Sequence, residues 1–168
     1  MCDSTSLAVI IGIVSSLVAS LYYSTIALCA AWRVRKARAQ PFVGTYRMYI
    51  PNPLLPTGGT VTISHVDSIW KNLTISAPLL SVFAEHGAGK APGTEDWEAT
   101  VEVLGLSEMA SGFYRYPNRE GGGLRFALSG FDADQIIEYG TPFDQSAPFI
   151  RVLIREGVPV PSPRKKTK

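Results

Sequence analysis

The segment Asp96-Trp97-Glu98-Ala99-Thr100-Val101-Glu102-Val103 decides the fold. Trp97, Ala99, Val101 and Val103 fall on one side of an alternating pattern, and Glu98, Thr100 and Glu102 on the other. Successive side chains of an extended chain point to opposite faces, so the segment reads as a β-strand with one apolar and one wet face. An antiparallel sheet that covers a core on one side needs such strands. The pattern recurs on both sides of this segment. Val61 and Ile63 oppose Thr60, Thr62 and Ser64, while Ile150, Val152 and Ile154 oppose Arg151 and Arg155, with Leu153 the exception. In the last case the Ile/Val set is the expected apolar face.

Strands are predicted over 43–50, 59–65, 69–76, 96–103, 112–116, 124–130, 135–140 and 148–155, with a weaker segment at 79–84. Turn residues separate them: Pro56-Thr57-Gly58, the run from Gly87 to Gly93, Pro117-Asn118, Gly121 to Gly123, and Pro142. About eight short strands in a domain of roughly 115 residues can close on themselves and remove exposed edges. The expected fold is therefore all-β, a small antiparallel, lipocalin-like β-barrel over 42–156, with a sandwich as the alternative.

The part of the chain before the domain follows a different rule. From Leu7 to Trp32 no side chain is charged. About 20 apolar residues cross a hydrocarbon core of roughly 30 Å, so 7–32 is expected to be a transmembrane helix. The residues before it, 1–6, form a short tail with no Lys or Arg, unlike the basic start of a cleaved signal peptide. Arg33, Arg35, Lys36 and Arg38 follow at once, within a basic juxtamembrane segment 33–41 that Gln40-Pro41 terminates. Cationic side chains beside a membrane helix stay on the cytoplasmic side and are drawn to anionic lipid. The expectation is a single-pass protein of the cell inner membrane with its C-terminal domain in the cytoplasm. Within the helix, Ala8, Gly12, Ser16, Ser20 and Ser24 recur at every fourth position. Small residues at that spacing let membrane helices approach closely, which predicts a homo-oligomer formed through this helix. Residues 157–168 form a Pro- and Lys-rich tail, expected to be disordered.

Charge excludes one class of partner. The net charge of +2 conceals a basic collar, a basic tail at Arg164, Lys165, Lys166 and Lys168, and a domain that is acidic on balance. A nucleic-acid polymer would want a basic, aromatic-rich patch on the domain itself. Both cysteines, Cys2 and Cys29, lie outside the domain, so neither a disulfide framework nor a Cys-based metal site is expected there. On the cytoplasmic side, the Asn72-Leu73-Thr74 sequon is chance.

Catalytic signatures fail one by one. His65 and His86 are the only histidines, too few for zinc without carboxylates at a recognisable spacing. No Gly-x-Ser-x-Gly elbow occurs. Gly87-Ala88-Gly89-Lys90 lacks the earlier glycine of a phosphate loop and has Ala91 where Ser or Thr would hold magnesium. Asp132-Ala133-Asp134 lacks the other ligands of a calcium loop. No enzyme, metal or cofactor is expected. What remains is a set of aromatic and arginine side chains: Tyr46, Arg47, Trp97, Tyr114, Arg115, Tyr116 and Arg125. Aromatic faces with guanidinium forks could hold a nucleobase and a phosphate. Alternation places Tyr114 and Tyr116 on the face opposite Arg115, so only one of these sets can line an interior.

An anchor followed by a compact β-domain, with Val43-Gly44-Thr45-Tyr46, Trp97-Glu98-Ala99-Thr100-Val101 and Gly112-Phe113-Tyr114 as local echoes, resembles the bacterial anti-phage effectors that accompany cyclic-nucleotide synthases in CBASS systems. These have transmembrane segments, usually two where this chain shows one, and a β-strand-rich domain. The resemblance implies a cyclic-nucleotide ligand in the barrel and oligomerisation in the membrane. The functional expectation is a membrane-anchored sensor or effector in antiviral defence that binds a small ligand. The alternative is a non-enzymatic structural or adaptor subunit of a membrane complex.

Overall fold

The computed structural model describes residues 4–51, 54–66, 77–86, 95–104, 108–118, 120–129 and 134–160. The chain divides into two compact units, Met1–Arg35 and Lys36–Lys168. Helix α1, Ser4–Ala39, has 36 residues and an apolar character that is not confined to one stripe. At 1.5 Å per residue it is about 54 Å long. Its span from Ala8 onward is long and apolar enough to cross a membrane, and Val9, Ile10, Ile13, Leu17 and Leu21 are all exposed on it. The basic collar continues the same helix, with Lys36 and Arg38 in the last turn, where cations complement the helix dipole. Pro41 then tightens the chain into a short 3-10 turn, Gln40–Phe42, that leads into the barrel.

The barrel consists of β1 (Gly44–Ile50), β2 (Leu55–His65), β3 (Leu79–His86), β4 (Trp97–Val103), β5 (Met109–Arg115), β6 (Gly122–Leu128), β7 (Gln135–Pro142) and β8 (Phe149–Arg155). Each strand pairs antiparallel with its neighbour in sequence, and β8 returns to β1 to close the ring. The all-β barrel expected from the alternation is thus present. The strands differ from expectation in that the weaker segment at 79–84 is β3, β2 and β5 begin earlier, at Leu55 and Met109, and 69–76 lies outside the described residues.

Parity holds along most strands. Tyr46, Met48, Val61, Ile63, Leu80, Val82, Trp97, Val101, Leu124, Phe126 and Ile136 pack into one interior core. On β8 the expectation is inverted. Leu153, Arg151 and Arg155 share the inward face, and Ile150, Val152 and Ile154 point out. Two physical reasons account for this. Val152 and Ile154 are buried on the outside of the wall in a small second cluster with Tyr49, against which Leu54 and Val158 pack. The inward arginines, in turn, find anionic and carbonyl partners inside.

One end of the barrel receives the chain from α1. Ala39 and Phe42 belong to the interior core and fill that end. Arg155 secures it: its guanidinium donates to the carbonyls of Val43 (2.9 Å) and Pro41 (3.0 Å) and to the Tyr46 hydroxyl (3.0 Å). Its Nε lies 3.1 Å from the Asp134 carboxylate. The Tyr46 hydroxyl donates to the Phe42 carbonyl at 3.0 Å. The linker between helix and barrel is therefore tied to the last strand.

Candidate functional site

The far end of the barrel is built differently. The β7–β8 hairpin closes so that Glu138 lies opposite Arg151 and Gly140 opposite Phe149. Gly140 is needed here because a Cβ would collide with the Phe149 ring lying over it. The Arg151 guanidinium sits 4.2 Å from the centroid of that ring and 5.6 Å from the Trp97 centroid. Tyr114 extends the aromatic wall, making edge contacts with Trp97 (5.8 Å), Tyr116 (5.5 Å) and Phe149 (6.0 Å). Each such contact orients a ring and contributes about 0.5–1.5 kcal/mol beyond the area it buries. An arginine between aromatic faces keeps its charge while shedding water.

Arg151 donates to Glu138 Oε1 at 2.8 Å and touches Met48 Sδ at 3.4 Å. Glu138 is 0% exposed and the Arg151 side chain 15%. Burial pushes the Glu138 carboxyl above the usual carboxylate range, and the neighbouring guanidinium partly opposes that rise. The pair also leaves polar atoms over. Glu138 Oε2, Arg151 Nε and Trp97 Nε1 are buried and have no hydrogen-bond partner among the described residues. Buried polar groups are almost always paired, because stripping water from one without replacement costs about 1–3 kcal/mol. One acceptor and two donors are therefore left unpaired beside the aromatic rings. This arrangement suits a small planar polar molecule that presents acceptors to Arg151 and Trp97 and a donor to Glu138.

The sequence candidates divide between the two sides of the wall. Tyr46, Trp97 and Tyr114 are buried inside, and Tyr116 packs against the same core. Tyr46 belongs to the linker end, where burial raises its hydroxyl pKa and Asp134 adds to the rise while Arg155 opposes it. Arg47, Arg115 and Arg125 point outward. Arg47 pairs with Glu156 at 3.4 Å and Arg115 with Glu98 at 2.6 Å, both exposed. No outward arginine can join the inner aromatic rings. The arginines that do so, Arg151 and Arg155, were absent from the candidate set, as was Glu138. A signal existed: closing a hairpin over 141–148 brings Glu138 opposite Arg151, a charge pair that a wet outer face would not need.

Other candidates end in ordinary contacts. His65 shares a hydrogen bond with the Gln40 side chain (3.3 Å), and the His86 backbone N–H donates to Asp96 (2.9 Å). Among the described residues no group of three or more His, Cys, Asp or Glu side chains comes together. The Gly87 to Lys90 loop, the Asn72 sequon and Asp132-Ala133 lie outside the described residues. On α1, Ala8, Gly12, Ser16, Ser20 and Ser24 are exposed, as are Arg33, Lys36 and Arg38, while Arg35 is half-buried. Comparisons with protein-family models, curated proteins and solved structures found no match for this chain.

Proposed function

We propose that the chain is a membrane-anchored sensor or effector whose barrel binds a small planar polar ligand at its far end. The observation that carries this reading is the buried Glu138–Arg151–Trp97 group, with an unpaired acceptor and two unpaired donors inside an aromatic wall. The long apolar helix supports the anchor, and the cationic residues directly after it support a cytoplasmic domain at the inner membrane. The small-residue stripe supports self-association in the bilayer. A nucleobase has the required face and mixed donor–acceptor edge, so cyclic nucleotides, in an anti-phage setting, are the first ligands to test. Ligand binding would shift assembly only through different affinities for the assembled and free states.

The test is thermal melting of the full chain in detergent against cyclic and linear nucleotides. At about 100 times its dissociation constant a ligand adds roughly 2.7 kcal/mol of stability. The expected result is an upward shift with one nucleotide class, lost when Arg151 and Glu138 are replaced together. No shift with any nucleotide would remove that ligand class. The adaptor reading is favoured by a separate observation, the exposed aromatic side chains Phe113 and Phe143 on the outer wall.

A further inference from the structure

A closed barrel has no free strand edge, so edge-to-edge strand pairing with a second copy is not open to this domain. One part of its outer wall is unlike the rest. Phe113 is 69% exposed and packs only loosely, at 6.0 Å and a tilt of 38°, on the equally outward Phe143. Beside them a shallow groove crosses β4 to β7, floored by Ser111, Gly112, Gly123 and Ala127. An aromatic knob next to a small-residue hollow is an unusual surface for a domain with no partner.

The strand register gives this surface an internal symmetry about β5. One outward row reads Glu102, Ser111, Arg125, and the next reads Thr100, Phe113, Gly123. Strands lie about 4.8 Å apart, so Glu102 and Arg125 stand roughly 10 Å from each other with only Ser111 between. Neither forms an ion pair among the described residues, whereas Arg47 and Arg115 on the same wall do. A two-fold axis lying in the wall along β5 would bring Glu102 of one copy onto Arg125 of the other, twice. It would also set Phe113 against Phe113 and Thr100 over the hollow at Gly123. Arg115 would meet its own counterpart near the rim, where each is already neutralised by Glu98.

We infer that the β4–β5–β6 wall is an isologous docking surface for a second copy of this chain. Charge complementarity under a single two-fold operation favours a self-partner, because the −/small/+ row becomes its own complement when turned about β5. The direction of the axis agrees. An axis along the strands leaves the linker ends of both barrels on the same side, so both chains enter their barrels from one direction. Face-to-face sheets pack aligned to within about 30°, so the contacts nearest β5 carry the interface. The inference does not depend on what occupies the far end of the barrel.

The test is cysteine cross-linking of the full chain in detergent, with Cys2→Ser and Cys29→Ser as background. Under mild oxidant, Ser111→Cys is expected to form a covalent dimer about tenfold faster than Thr62→Cys on β2, through its higher effective concentration. Glu102→Arg should reduce the Ser111 cross-link, and Glu102→Arg with Arg125→Glu should restore it. Equal rates at Ser111 and Thr62, with both variants folded by circular dichroism, would overturn the inference. So would a charge swap that fails to restore what the single change removes.

Discussion

Two arginines on one strand, both facing inward, meet opposite treatment. Arg155, at the end that receives the chain, has backbone carbonyls, the Tyr46 hydroxyl and Asp134 around it. Arg151, at the far end, has Glu138 and aromatic faces, and the group it anchors leaves an acceptor and two donors unpaired. An arginine that donates to two carbonyls and a hydroxyl ties distant segments together. An arginine whose surroundings keep unpaired polar atoms costs stability, and natural proteins retain such costs mostly where something binds. The comparison supports the proposal that one end of the barrel fixes the linker and the other recognises a ligand.

The largest expected effect breaks the far-end pair on one side only. Arg151→Ala strands Glu138 in the interior and should cost about 3–5 kcal/mol, measured by chemical denaturation followed through tryptophan fluorescence. The deficit should depend on pH. Because the folded Glu138 binds its proton more tightly than the unfolded chain does, its contribution to stability is present at low pH. That contribution is lost as pH rises from the ordinary carboxylate range through the raised folded value. The Arg151→Ala deficit should therefore be smallest in acid and grow toward neutrality. Glu138→Gln in the wild-type background should flatten this part of the pH profile, and an unchanged slope would show that another group sets it.

At the linker end, Arg155→Ala removes charged donors from the Val43 and Pro41 carbonyls and should cost about 2–3 kcal/mol. Hydrogen exchange should accelerate around residues 40–46, while any ligand-induced shift at the far end survives. A lost shift with intact folding would place the two ends in one site and break the comparison. The smallest effects belong to the outward pairs. Arg47→Ala and Arg115→Ala each remove an exposed ion pair and should change stability by about 0–1 kcal/mol, with no change in ligand response.

These differences show what the sequence reveals and what it hides. Alternation at Trp97, Ala99, Val101 and Val103 was enough to predict an all-β fold, since a wet face and an apolar face leave a clear period of two. The long apolar run was equally plain. β8 misled because its Ile150, Val152 and Ile154 form the more hydrophobic face, yet Tyr49, Leu54 and Val158 cover part of that face from outside. A cluster on the outer wall depends on where distant segments lie, which periodicity along one strand does not report. The site was missed for a related reason. Trp97, Tyr114 and Tyr116 were recognisable as aromatic candidates, but the arginine that joins them lies across the barrel and reads locally as a solvated residue.

The central claim is that the polar group at the far end serves binding rather than folding. The most direct test replaces both partners at once, Glu138→Leu with Arg151→Met, and measures stability and ligand response on the same protein. Exchanging a buried ion pair for apolar side chains of similar size is often neutral or stabilising by about 1–4 kcal/mol. The account predicts a barrel at least as stable as the wild type that no longer responds to ligand. A double variant that unfolds, or that stays folded and still responds, would contradict it.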